Sequence, residues 1–270
     1  MPEQPARKPV SLAEVREGGQ QHRHLLADPT YARVAMRRIS PYLTFVIARY
    51  TPLSADAVTG LSILSGIGGG VAIVVPSAAT YLVAVALLQL AYLLDLVDGE
   101  VARVRGTASL RGTYLDLVGH FIQNRALYGA AGYVLMVEAG FEPWAVLLAL
   151  LGVAFASPFG EQSRLHVLGT RPSAAELTHG RIESTPLAKG ASPLAKAYWG
   201  YRRVAFLWNY PASMNLFCLA LLADAARMAA DAAANPLVLP AFAAAFAATL
   251  TLKQFGNAVR ILRTASWKSA

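Results

Sequence analysis

The amino-acid sequence predicts an all-α, polytopic membrane protein, with six transmembrane helices and an N-terminal juxtamembrane amphipathic helix. Three observations carry that reading. The 270 residues are 55% hydrophobic and only 15% charged, with a mean hydropathy of +0.42; a soluble domain carries about a quarter charged residues. The apolar residues gather into runs of roughly 20, the length that crosses a hydrocarbon core about 30 Å thick. Lys and Arg also fall on alternate linkers. Those at 76–80 and 138–143 have none, and the one near 224–236 has only Arg227. The opposite set holds Arg33, Arg37, Arg38 and Arg49, then Arg103, Arg105 and Arg111, then a basic series from Arg164 to Arg203 and a last one from Lys253 to Lys268. That positive-inside pattern puts both termini on the cytoplasmic side of the inner (plasma) membrane. The net charge of +8 is therefore topology and attraction to anionic lipid, and does not indicate a nucleic-acid partner. The single cysteine, Cys218, excludes an intrachain disulfide.

Residues 1–28 are expected to be a flexible polar tail, with Pro2, Pro5, Pro9, a Gly18-Gly19 pair and no apolar core of a cleavable signal peptide. In 29–50 arginines mix with Tyr, Met, Ile and Phe, and Pro41 interrupts the run. This predicts a short amphipathic helix at the cytoplasmic surface rather than a span. A six-span domain over 51–264 follows. Its first span, about 55–75, opens on "TPLSAD", which supplies helix-start chemistry. That span holds Gly66 and Gly70, a small-xxx-small pair suited to close helix packing. The second span covers about 80–101, the third 113–137 and the fourth 143–165. A cytoplasmic loop at 170–203, rich in polar residues, Pro and Gly, precedes the fifth span (206–223) and the sixth (236–259).

The most informative stretch is "LLDLVDGEVARVRGTASLRGTYLDLVGH", residues 93–120. Asp95 and Asp98 lie three apart at the cytoplasmic end of the second span, so a helix puts them on one face. Gly99 and Ala102 continue that face with minimal side chains, and Arg103 adds a cation. After a short basic hairpin, Asp116 and His120 lie four apart near the start of the third span, again on one face. Two helices joined so closely must lie side by side, so their polar faces meet at one cytoplasm-facing site. Ionisable groups in spans cost several kcal/mol unless paired or hydrated. Carboxylates packed together need a cation to stay ionised, and hard oxygen donors favour Mg²⁺, Mn²⁺ or Ca²⁺.

These residues resemble the signature of the CDP-alcohol phosphotransferase family, D-x-x-D-G-x-x-A-R, eight residues, G-x-x-x-D-x-x-x-D. Asp95, Asp98, Gly99, Ala102, Arg103, Gly112 and Asp116 all match, and His120 stands where the family has its last aspartate. "TPLSADAVTGLSIL" resembles the family's approach to its first span, with Asp56 in the place of an Asn and Thr59 matching a Thr. "SRLHVLG" at 163–169 resembles the arginine-bearing end of the fourth span in phosphatidylinositol-phosphate synthase-like members. The resemblance covers roughly 50–262.

The resemblance implies displacement of CMP from a CDP-alcohol donor, such as CDP-diacylglycerol, by the hydroxyl of an acceptor alcohol such as a phosphorylated polyol. It implies two divalent cations, Mg²⁺ or Mn²⁺, held by Asp95, Asp98 and Asp116 with His120, and catalytic roles for Asp116 and His120. Gly99, Ala102, Arg103, Gly112, Asp56 and Thr59 would line the nucleotide site, and Arg164 would meet the acceptor. Family members are commonly homodimers, for which Gly66/Gly70 or the alanine-rich sixth span offers a packing surface. Three readings of His120 stay open: base or metal ligand, a mark of altered acceptor specificity, or a mark of lost activity in a relative that still binds the nucleotide. A cation-coupled carrier is the alternative from another class. It predicts inverted repeats, yet spans four to six carry no echo of the acidic hairpin.

Overall fold

A computed structural model describes residues 10–19, 35–147, 150 and 212–264. The described residues are helical, with no strand among them. The helices are α1 (Leu12–Glu14), which runs into a π-helical stretch at Val15–Gly19, α2 (Arg37–Tyr50), α3 (Ala55–Ile73), α4 (Ala78–Val104), α5 (Leu110–Val137), α6 (Ala212–Ala230) and α7 (Val238–Thr264). Three of them, α3, α4 and α6, are long and apolar enough to cross a membrane, and α7 has a shorter apolar part at Val238–Thr251. The chain is thus an all-helical membrane protein. The fourth predicted span is helical at 143–147 and at 150; its remainder, the 170–203 loop and Arg164 lie outside the described residues.

The described residues pack as two compact units, one within Met1–Gly66 and Leu87–Gln123, the other within Ile67–Ala86 and Asn124–Ala270. In the first unit the core is Ile47, Val58, Leu94, Val97 and Val101, with Leu43, Ala55 and Leu93 against it. The glycines of α3 are spent on close approach to α5. A Cβ on Gly66 would stand 2.5 Å from Gln123 Cγ. In the second unit a Cβ on Gly70 would stand 2.9 Å from the backbone of Ala126. This pair therefore serves packing inside the chain. A polar line ties α3 to α5 and to α4: Gln123 Nε2 donates to Ser62 Oγ (3.1 Å), and Ser62 donates to the carbonyl of Ala91 (2.8 Å). The second unit holds an aromatic cluster of Tyr128, Phe217, Phe242 and Phe246, with ring centroids 4.9–5.9 Å apart.

Helix ends are set by local chemistry. Ser54 Oγ accepts from Ala57 N at the start of α3, and Ser77 and Thr80 exchange bonds at the start of α4. The hairpin from α4 to α5 joins the two halves of the acidic stretch. Gly106 has φ +65°, its N–H meets the carbonyl of Arg103 at 3.1 Å, and Thr107 N–H meets that of Ala102 at 2.8 Å. This is a Schellman ending with glycine at its left-handed position. Three residues on, Ser109 caps α5 by accepting from Gly112 N at 3.1 Å. Five residues thus reverse the chain and fix the register of the two helices.

Helix α2 contains Pro41 in its second turn, and the helix continues through it to Tyr50. Ile39, Tyr42, Val46 and Tyr50 are exposed, while Ser40, Thr44 and Ile47 are buried. The outward face thus mixes these apolar side chains with the exposed Arg38 and Arg49, and a partly polar face is turned inward. Its C-terminal carbonyls are gathered by Arg105, whose guanidinium donates to Ile47 (2.8 Å), Ala48 (3.2 Å), Thr51 (2.9 Å) and Leu53. A cation at a helix C-terminus also meets the negative end of the dipole.

Candidate functional site: an acidic hairpin with one histidine

The site is built by the facing ends of α4 and α5, in the first unit. Asp95 comes from α4, and Asp116 and His120 come from α5. His120 Nε2 lies 2.6 Å from Asp95 Oδ1 and 3.3 Å from Asp116 Oδ1. One ligand atom from each of the three residues falls within 4.8 Å of the others. The predicted meeting of the two polar faces is present. The side chains are graded in exposure: 13% for Asp95, 32% for His120 and 46% for Asp116. The cluster therefore opens on the Asp116 side.

Asp98 lies one turn beyond Asp95 and is buried. Its Oδ2 accepts from Thr59 Oγ1 of α3 at 2.6 Å. The described three-residue cluster is thus Asp95, Asp116 and His120, with Asp98 held beside it by a hydroxyl. Two carboxylates and an imidazole converging at this distance fit one divalent cation. Carboxylate oxygen suits Mg²⁺ and Mn²⁺, and the imidazole moves the preference towards Mn²⁺.

The residues expected around the nucleotide are placed as follows. Gly99 has Arg103 folded over it, so an added Cβ would stand 3.1 Å from an Arg103 terminal nitrogen. Ala102 lies a turn further along α4, and its carbonyl closes the Schellman ending. Gly112 opens α5 beside Asp56, whose Oδ1 would stand 3.9 Å from an added Cβ. Asp56 makes a loose, exposed pair with Arg111 at 3.5 Å, the kind worth little by itself. Thr59 sits one turn from Asp56 on α3, with its hydroxyl given to Asp98.

Sequence reasoning missed Glu100. It sits at a variable position of the motif, fully buried. It accepts from Arg37 (2.9 Å), Ser40 (2.7 Å) and Thr44 (2.6 Å), all on α2. A signal was available: Arg37, Ser40 and Thr44 recur at helical spacing, a polar stripe with no other stated use.

Helices of membrane-crossing length and a hairpin that brings acids and an imidazole together define a membrane protein with a candidate divalent-cation site. Residues 53–170 match the CDP-alcohol phosphatidyltransferase family model. The matched stretch, 53–170, is therefore identified as a domain of that family by its model, and it spans the whole acidic hairpin. No curated protein matches the chain. The family's reaction is a metal-dependent transfer between a CDP-alcohol donor and an alcohol acceptor, and the Asp95, Asp116 and His120 cluster is a place where such a metal fits.

Proposed function

We propose that the chain is an integral-membrane CDP-alcohol phosphotransferase. It moves a phosphatidyl or other substituted phosphoryl group from a CDP-alcohol, with CDP-diacylglycerol the favoured donor, to an acceptor alcohol such as a phosphorylated polyol. The observation that carries this is the convergence of Asp95, Asp116 and His120 within 4.8 Å, with Asp98 one turn away, inside the matched domain. The acceptor oxygen attacks the phosphorus bearing the donor alcohol, the bond to the CMP oxygen breaks, and CMP leaves. Divalent cations supply charge neutralisation on the diphosphate and on the leaving oxygen. Asp95, Asp98, Asp116 and His120 would hold them. Arg103, folded over Gly99 where no side chain stands in its way, neutralises phosphate charge. Arg164 is assigned to the acceptor on the resemblance alone.

The position of His120 supports a ligand role. Its Nε2 faces both acids, so that nitrogen is the atom able to share a cation with them. Asp116, the most exposed of the three, is the carboxylate best placed to take the acceptor's proton. The test is CMP release from a panel of CDP-alcohols, with Mg²⁺ or Mn²⁺ and candidate acceptors. His120→Ala is expected to weaken Mn²⁺ binding at least about tenfold and to abolish turnover. His120→Asp should restore part of both and move the preference towards Mg²⁺. Unchanged Mn²⁺ binding and CMP release in His120→Ala would sink the assignment. Cytidine nucleotide binding with no CMP release across the panel would instead mark a relative that has lost catalysis.

A further inference from the structure

The short N-terminal helical stretch reaches the motif helix at one of its functional residues. The carbonyl of Gly19 accepts from Arg103 Nε at 2.7 Å. The two terminal nitrogens of the guanidinium lie over Gly99, 3.1 and 3.6 Å from where a Cβ would be. Gly19 itself is seated on α4, with its own would-be Cβ 3.4 Å from Val104 Cγ2 and 3.6 Å from Glu100 Cβ. The stretch is anchored along its length. Val15 is fully buried, Arg16 donates to Tyr42 Oη at 3.0 Å and stacks over that ring, and Arg49 donates to the carbonyl of Val10. A capping box between Ser11 and Glu14 starts the helical turn. Residues 10–19, with Tyr42 and Arg49 that hold them, precede the matched domain, which begins at residue 53.

We infer that residues 10–19 are a positioning strap for the donor site. By holding Arg103 Nε, the Gly19 carbonyl aims the guanidinium fork across Gly99, the place where the proposed function puts the donor's phosphates. An arginine has one Nε–H and a planar pair of terminal amines. Fixing the first sets the plane of the second, and a preorganised fork gives up less conformational entropy when it meets a phosphate. Val15 and Gly19 act through Arg103 and are positioning residues. This inference rests on the proposed function for the identity of the ligand.

The experiment is a double-mutant cycle on the full-length protein in detergent or nanodiscs, with CDP and Mg²⁺ as the binding probe. Val15→Asp, which dislodges the strap, is expected to weaken CDP binding about tenfold, the scale of one charge-assisted contact. Arg103→Ala should weaken it by a similar factor or more. The double variant should be no weaker than Arg103→Ala alone, because the strap has nothing left to aim. In turnover, Val15→Asp should raise the donor KM while kcat at saturating donor and the acceptor KM stay near wild type. Where Val15→Asp lowers the yield of folded protein, Val15→Ala completes the same cycle. Additive losses, or equal losses of kcat and acceptor affinity, overturn the strap and leave the proposed function standing. Wild-type protein that binds no cytidine nucleotide overturns the proposed function, and the strap's ligand with it.

Discussion

Among single residues, Glu100 shows how much of this site depends on partners far away in sequence. A carboxylate with no solvent exposure is tolerable only when its oxygens are saturated by donors. Here a guanidinium and two hydroxyls do this from α2, 56 to 63 residues away. Removing the acid takes its carboxylate partner from Arg37, whose side chain is 9% exposed, and its acceptor from two buried hydroxyls. Glu100→Ala is therefore expected to cost about 3–5 kcal/mol, read as a fall in the thermal midpoint of purified protein. Glu100→Gln should fall between, since its amide oxygen still accepts from a hydroxyl but gives Arg37 no charge. A wild-type midpoint for Glu100→Ala would show that this pair does not hold α2. The contrast with Asp95, Asp116 and His120 explains what a sequence displays. Those three are brought together by one short hairpin, so spacing alone predicts their meeting. The partners of Glu100 lie on a helix whose placement no local spacing encodes. Thr59 is a milder case: its position matched the family's approach to the first span, but its bond to Asp98 depends on how α3 packs on α4.

For the helices, the legible parts were those governed by local rules. Ser54 starts α3 where "TPLSAD" indicated, and the hairpin between α4 and α5 is short because glycine and serine terminate and restart helices. Gly106, with φ +65°, is the residue on which that reversal turns. An alanine there must adopt a left-handed conformation costing about 1 kcal/mol, and asparagine tolerates it better. Gly106→Ala should therefore lower stability by about that amount, and Gly106→Asn by less, in a denaturant or thermal titration. Equal stability of wild type and Gly106→Ala would mean that the hairpin relaxes into another turn, and Mn²⁺ binding would show whether the cluster follows. The fifth span shows the opposite case. A reading that stops at the first charge ends it at 223, whereas α6 continues to Ala230. The charge in question, Asp224, is fully buried. It accepts from the N–H groups of Leu237 (2.9 Å), Val238 (3.0 Å) and Leu239 (2.7 Å) at the start of α7, and from Arg227 at 3.0 Å. A carboxylate at the next helix's N-terminus is satisfied without water, so it need not end a buried helix.

For the whole molecule, helical class and membrane character were legible because they follow from composition and run length, which need no tertiary information. The number of spans is harder, and α5 is the instructive helix. It has 28 residues, about 42 Å at 1.5 Å per residue, ample to cross. Yet it is not among the three helices apolar enough to cross by composition alone, because it carries Arg111, Asp116, His120 and Arg125. If those groups line a hydrated site, the helix still crosses, and its two ends lie on opposite faces of the membrane. The charge pattern gives the direction: Arg103, Arg105 and Arg111 flank its start, while the turn after it, 138–143, has no Lys or Arg. Cysteine accessibility decides this. In a Cys218→Ala background, which removes the buried native thiol, Glu142→Cys should react with an impermeant maleimide added outside intact cells. Thr107→Cys should react only after permeabilisation. Both positions are exposed, so a missing signal cannot be put down to burial in the protein. The reversed pattern would invert the orientation and turn the acidic hairpin away from the cytoplasm. Labelling of both cysteines from the same side would mean that α5 does not cross, and that the cluster of Asp95, Asp116 and His120 sits on a re-entrant or surface hairpin.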